Sequence, residues 1–358
     1  GPFTLAIFAL LSAGIIDTIY LGRIGVGALA AIGFCAPLTF IGNSANIGLG
    51  AGTMSAVSRA LGEGDIERSK RHGAAAILLA LCVMSLLVCA GLLAMGPVLS
   101  VMGAEPEIKA LAMSYLKWSL PGLVILSIAS MSNNILRASG EAVLPSTIMI
   151  MGAVINIILD PFLIFGWGPF PRLEVEGAAI ATFTGNFIAA MYGFYIVLFR
   201  RKAVSFAQMT AASMRRAWRV IGSVGIPAAG TNIIVPVATA IATAVIAIKL
   251  GTLDVATFTV VSRAEILSVG LLYALSACIG AITGQNGAAG LTDRVRATFK
   301  FCFLICGVWR AGLDRLPAGF RAMGGAGSGR ACPCAHRRRR RPKSPAGPSL
   351  FAPGGLRV

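Results

Sequence analysis

Eight apolar segments, each long enough to cross a lipid bilayer as a helix, dominate this sequence. A membrane-spanning helix needs about 20 apolar residues. The segments fall at about 1–20, 28–58, 73–101, 110–136, 144–167, 177–199, 221–249 and 255–286, and a ninth begins near 297. Only 13% of the residues are charged, whereas soluble domains carry about 25%. The pattern therefore predicts an all-α, polytopic transmembrane bundle with about eight spans.

The formal net charge of +17 is concentrated at the end of the chain. Residues 308–358 contain eleven Lys or Arg residues against one acid, which leaves a net charge of +7 on residues 1–307. A run such as Arg337–Arg341 can bind nucleic acid or anionic lipid. The loss of apolar character within the ninth segment favours a different origin. We expect 308–358 to be a disordered, out-of-frame tail on a C-terminally truncated chain, and we expect no nucleic-acid partner.

Basic residues favour alternate loops, which predicts the orientation of the chain. Fourteen of them follow the second, fourth, sixth and eighth spans, whereas the other loops hold only four, with Lys117 just inside the fourth span. Loops rich in Lys and Arg stay in the cytoplasm. The first helix is therefore expected to run outward, in a multi-pass protein of the cell inner (plasma) membrane.

A weak internal repeat divides the chain. Residues 21–71 resemble residues 250–296, at a separation of six helices. Parallel repeats of this kind occur in transporters, with the substrate path between the halves. The predicted units are a complete six-helix lobe (1–199), a cytoplasmic amphipathic linker (200–220) that resembles an interfacial helix, a partial second lobe (221–307) and the tail (308–358).

Seven short motifs together resemble the multidrug and toxic compound extrusion (MATE) family. They are IIDTIYLGRIG (15–25), LGEGDIERSKR (61–71), LRASGEAVLPS (136–146), NIILDPFLIFG (156–166), VEGAAIAT (175–182), IPAAGTN (226–232) and GQNGAAG (284–290). The resemblance covers residues 1 to about 307 and implies a twelve-helix, two-lobe transporter of which this chain holds part. Flippases of the same superfamily are a nearby alternative.

Ionisable residues inside membrane spans are costly and usually mark an ion or proton path. Asp17, Asp160 and Thr182 fall at a similar depth in the outer half of their spans, at about 1.5 Å per residue. Asn156 lies one turn from Asp160 on the same helix face. These oxygen-bearing side chains suit a small hard cation or a shared proton, so we predict an ion-coupling site that would bind Na⁺ if coupling uses sodium.

The family resemblance implies the same site and extends it. It adds the carbonyl of Ala178 as a fifth ligand, and it matches Pro2 to a proline whose bending of the first helix is tied to protonation. The seventh span lacks the membrane glutamate of the sodium-coupled NorM branch, which favours the DinF-like branch. Glu265 in the eighth span is a secondary candidate, either for carrying protons or for pairing elsewhere.

Structural roles compete with each of these assignments. Asp17 can cap a helix end, Asp160 can satisfy backbone groups freed by Pro161, and Thr182 alone can be a helix-packing residue. The sequence contains few of the residues and motifs that the enzyme classes require. The only histidines are His72 and His336, and no GxGD, metalloprotease, phosphate-binding or dinucleotide motif is present.

The sequence therefore predicts a non-enzymatic, cofactor-free antiporter. It would exchange an inward H⁺ or Na⁺ for an outgoing amphipathic, often cationic, small molecule, as a monomer in the lipid bilayer. The alternatives are a lipid or oligosaccharide flippase of the same superfamily, or a non-functional truncated membrane remnant.

The charge bias gives a direct test of topology. In a cysteine-free background, a cysteine at Ser139 should resist an impermeant thiol reagent added to intact cells, because that loop is expected in the cytoplasm. A cysteine at Leu173 should react. The opposite labelling pattern would overturn the orientation and the outer-half depth of the ion site.

The nucleotide sequence tests the origin of the tail. A spanning helix abandoned after about ten residues would leave backbone groups unsatisfied at membrane depth, so we expect another reading frame beyond codon 307 to encode three to four further apolar spans. Frames that are interrupted by stops or remain polar would refute the frameshift and leave anionic lipid as the first candidate partner of Arg337–Arg341.

Overall fold

The computed structural model describes residues 2–207 and 209–314, with the side chains of 263–271, 273, 274, 277, 310 and 312–314 not among those described. Its long elements are all α-helices. They are α1 (Pro2–Ile24), α2 (Val26–Gly62), α3 (Ile66–Val101), α4 (Pro106–Ala138), α5 (Val143–Phe165), α6 (Glu174–Tyr195), α7 (Ala211–Leu250), α8 (Thr252–Ala288) and α9 (Thr292–Asp314). These bounds follow the apolar segments of the sequence closely.

Polar residues fix where several helices begin. The Asp65 carboxylate accepts a hydrogen bond from the backbone N–H of Arg68 at 2.9 Å and so caps α3. Thr210 and Ser213 form a reciprocal capping box at the start of α7. Such caps satisfy N–H groups that have no partner inside the helix, so the turn-rich stretches of the sequence become sharp helix boundaries.

The first six helices pack into one lobe around α4, which contacts α2, α3 and α6. In the part of the chain that is described, seven helical segments are long and apolar enough to cross a membrane, α1 to α5, α6 with its extension to Arg200, and α7. In α8, the apolar stretch found among the searched residues runs from Thr252 to Ser262. The prediction of an all-α, polytopic bundle is confirmed.

Helix α2 joins this lobe to α7 and α8 along most of its length. Near its outer end, a Cβ on Gly33 would lie 2.4 Å from the Thr259 hydroxyl, and near its inner end, a Cβ on Gly62 would lie 2.6 Å from the Gln285 carbonyl oxygen. Between them, Ser44 donates a hydrogen bond to the Asn232 carbonyl at 3.0 Å. The second lobe therefore contacts α2 at both membrane faces.

The linker between the lobes differs from the amphipathic helix predicted over 200–220. A five-residue π-helical turn extends α6 to Arg200, the described residues of 201–210 form no helix, and α7 begins at Ala211. The physical reason is contact with α3. Val204 is buried against Gly73, and Trp218 donates to the Ala75 carbonyl at 2.9 Å. Val204 and Ala217 of the linker are thus buried against protein, whereas Phe206 and Val220 are exposed. The lobe division itself stays a prediction.

The prediction that the chain stops folding at about Val308 is wrong for residues 308–314. Helix α9 continues without a break from Thr292 to Asp314. No proline occurs in this stretch, and the first proline after it is Pro317, which disfavours helix in the residue before it. The rest of the predicted tail, 315–358, lies outside the described residues.

Close packing of α6 on α5 yields a stability prediction. A Cβ on Gly177 would lie 2.4 Å from the Leu163 carbonyl oxygen, and backbone cannot move away as a side-chain tip can. We expect Gly177→Ala to destabilise the protein by about 1–3 kcal/mol and to lower its thermal unfolding midpoint in detergent.

Gly96→Ala is the matched control. A Cβ on Gly96 in α3 would meet no atom within 4 Å, and alanine is the better helix former, so its midpoint should stay level or rise slightly. Equal midpoints for the two variants would contradict the packing described here.

Candidate functional site

Four polar side chains from three helices meet inside the first lobe. The carboxyl groups of Asp17 on α1 and Asp160 on α5 are in hydrogen-bonding contact. Asn156 Nδ2 donates to Asp160 Oδ1 at 3.3 Å and to Thr182 Oγ1 on α6 at 3.2 Å. Asp160 and Asn156 are buried, and Asp17 and Thr182 are half-buried. The four side chains that residue spacing predicted at one depth are thus connected by direct contacts.

Contacts between helices hold these side chains in place. Gly185 lies close to Asn156, because a Cβ there would be 2.7 Å from the Gly152 carbonyl oxygen and 3.4 Å from the Asn156 Cβ. Above the site, the rings of Tyr20 and Phe165 pack edge to face at 5.7 Å between centroids. α1, α5 and α6 are therefore fixed around the acidic pair.

An anchor from α4 orients the start of α6. Trp118 donates from its indole N–H to Glu176 Oε1 at 2.8 Å, and its ring packs against Phe183 at 6.0 Å. Thr182 immediately precedes Phe183. The sequence did not predict this contact, because the two residues are 58 positions apart. Its only sign in the sequence is a tryptophan in one span and a glutamate at the start of another.

The remaining predicted residues are not brought into this cluster by any described contact. Ala178 lies one turn before Thr182 and packs in an apolar cluster with Leu21, Ile164 and Val175. Pro2 begins α1 and is exposed, and the Glu265 side chain lies outside the described residues. Their assigned roles stay predictions.

The group can bind either a proton or a small cation. Two carboxylates, one amide and one hydroxyl are hard oxygen donors of the kind that Na⁺ requires. With only two acids, the site falls short of three converging His, Cys, Asp or Glu side chains, and no such group occurs among the described residues. As arranged here, however, Asn156 turns its amide nitrogen towards Asp160 and Thr182, which is a hydrogen-bonding arrangement rather than a coordinating one.

A small cavity of about 20 Å³ lies between α2, α7 and α8. Hydroxyl groups and aromatic rings line it, without a charged side chain among its described residues. They are Gly33, Ala36, Phe40, Thr239, Thr243, Phe258, Thr259 and Ser262. A space of this size holds about one water molecule, so it is too small for a cargo molecule as the helices stand here.

Fold and site together define a class, a polytopic helical membrane protein of the MATE type. Residues 2–162 match the family model described as MatE, and this part of the chain is a MatE family domain. The family consists of transporters, which confirms the exclusion of an enzyme and the prediction of a multi-pass membrane protein. The DinF-like branch and the inner membrane stay predictions.

Similar proteins agree with this assignment. The chain is 33% identical over 295 residues to a protein of Shewanella oneidensis named "FAD transporter", covering 82% of this chain and 65% of that protein. It is 26% identical over 226 residues to "Probable multidrug resistance protein NorM" of Thermotoga maritima, covering 62% and 47%. The chain thus spans less than two thirds of these relatives.

A solved structure shares the fold. The Vibrio cholerae MATE transporter VcmN in its bent form superposes with a TM-score of 0.70 at 27% identity, covering 84% of this chain and 67% of that one.

Proposed function

We propose that this protein belongs to a secondary transporter that couples inward proton movement, through the Asp17–Asp160 pair, to export of a small amphipathic molecule. The observation that carries the proposal is the contact between these two carboxyl groups inside the first lobe. No sequence motif supplies ATP binding, so an ion gradient is the available source of energy.

Chemistry favours the proton over sodium. Two carboxyl groups can share a hydrogen bond only when one of them carries a proton, because an ionised carboxylate only accepts. A second negative charge beside the first would also be costly in a buried site. Asn156 donates to Asp160, whereas a sodium ion would require its amide oxygen. The arrangement therefore fits a site that holds one proton.

Transport requires that the proton and the cargo favour different states of the protein. The acidic pair lies in the first lobe, and α2 connects that lobe to α7 and α8. Loss of the proton would leave two negative charges between α1 and α5, which changes how these helices pack. That change can be passed to α2 and so to the contact between the lobes.

Two classes of cargo are supported by the relatives. The Thermotoga relative is named as a probable multidrug resistance protein, which favours the drug-like cargo expected from the sequence. The name of the Shewanella relative, which matches more of this chain, favours a flavin dinucleotide.

The coupling role predicts the behaviour of an isosteric variant. In proteoliposomes, Asp160→Asn should reduce exchange driven by a pH gradient to the level of protein-free vesicles, because the amide cannot bind or release the proton. Asp254→Asn is the matched control, since Asp254 is exposed in the first turn of α8, and it should keep wild-type exchange.

A second experiment distinguishes H⁺ from Na⁺ as the coupling ion. Exchange should be driven by a pH gradient alone and not by a sodium gradient alone. Full exchange in both Asp160→Asn and Asp17→Asn would remove the pair from the mechanism, and exchange driven only by sodium would replace the proton with Na⁺.

A further inference from the structure

Arg137 lies in the last turn of α4 and has an unusual environment for a cytoplasmic cation. Its guanidinium carbon sits 4.7 Å from the centroid of the Phe3 ring on α1. One terminal nitrogen donates to Asn134 Oδ1 at 2.6 Å. Its Nε atom is buried and has no hydrogen-bond partner among the described residues. One N–H donor of the guanidinium is therefore unsatisfied.

No acidic side chain neutralises this charge. Within the described ranges, none of the five salt bridges includes Arg137. The acid nearest to it along the chain, Glu141, pairs with Arg201 instead. A guanidinium stays charged in proteins, and a desolvated charge without an ionic partner is costly. The cation–π contact with Phe3 offsets only a part of that cost.

The second lobe covers this position. Phe3 packs with Ile7 against Cys278 of α8, and Gln285 of α8 donates its amide to the carbonyl of Ala138, the residue after Arg137. A cleft at the cytoplasmic ends of α2, α4 and α8 is lined by Ser139, Gln285 and Asn286, among others. Arg137 thus lies where the lobes meet, two residues from an opening on the side from which cargo enters.

We infer that Arg137, with Asn134 and Phe3, forms a subsite for a phosphate group of the cargo at the cytoplasmic end of the lobe contact. The inference rests on the transport function proposed above and narrows its cargo to anionic amphipathic molecules. A guanidinium donates readily to phosphate oxygens; the Nε–H of Arg137 is free to do so, and the Phe3 ring lies over the group.

The subsite would also tie cargo to movement. When α8 closes over Arg137 without an anion, the charge is buried unpaired, as in this structure. A bound phosphate removes that cost, so the loaded protein closes its cytoplasmic side more readily than the empty one. The Arg137 charge would therefore disfavour closure of the empty protein and favour closure of the protein that holds cargo.

Equilibrium binding tests the subsite without requiring transport. The purified chain, in nanodiscs of phosphatidylcholine alone, is titrated with flavin adenine dinucleotide and with riboflavin, which has the same ring but no phosphate. Arg137→Gln should weaken dinucleotide binding about tenfold or more, as loss of a charged hydrogen bond does. It should leave riboflavin binding unchanged, and Arg137→Lys should fall between.

Two controls keep the outcome decisive. Arg294→Gln removes an exposed charge at the start of α9 and should bind both flavins as wild type does. Because Arg137→Gln can fail to fold, inorganic pyrophosphate is also added to the wild-type chain, where it should displace the dinucleotide and not riboflavin.

Equal dinucleotide affinity in wild type and Arg137→Gln, or no binding by wild type, would overturn the subsite. So would a dependence on Arg137 seen only for retention of phosphatidylglycerol, which would make it a lipid site. The proton-coupling proposal is tested independently of the subsite. Exchange that survives in Asp160→Asn and Asp17→Asn would refute the coupling pair and would leave the binding result for Arg137 unchanged.

Discussion

Hydrocarbon offers no hydrogen bonds, and the rest of this structure follows from that constraint. Each backbone N–H and C=O inside a bilayer must be satisfied by the chain itself, so every long described element is a helix. The same rule applies to side chains. The buried carboxyl group of Asp160 lies against Asp17 and accepts a hydrogen bond from Asn156.

Small residues then decide how closely the helices approach. Gly177 and Gly185 let α6 lie against α5, so that Thr182 reaches Asn156. Gly33 and Gly62 do the same for α2 against α8. Packing between membrane helices depends on such contacts because lipid tails are as apolar as the side chains. The position of the acidic pair and the contact between the lobes therefore share one physical origin.

The charged groups at the two ends of the first lobe differ in the partners that they have among the described residues. At the end of the first lobe that the loop charges predict to face outward, Asp17 contacts Asp160, which accepts a hydrogen bond from Asn156. At the end predicted to face the cytoplasm, Arg137 takes part in none of the salt bridges among the described residues. The first arrangement suits a proton that comes and goes, and the second suits an anion that arrives with cargo. Two sites of opposite charge on opposite sides of the lobe are what an exchange of a proton for an anionic molecule would use.

Span lengths, loop charges and residue spacing determined the helices and placed Asp17, Asn156, Asp160 and Thr182 at one depth, because helix rise and face are local properties. The tertiary structure alone decided which of them touch, since rotation of α1 and α6 about their axes depends on packing. It also turned the predicted interfacial helix into an irregular segment docked on α3. Arg137 shows the limit most clearly. By sequence it is one more charge beside a turn, and only the approach of Phe3 and α8, residues distant along the chain, makes it a half-buried cation with an enclosed Nε.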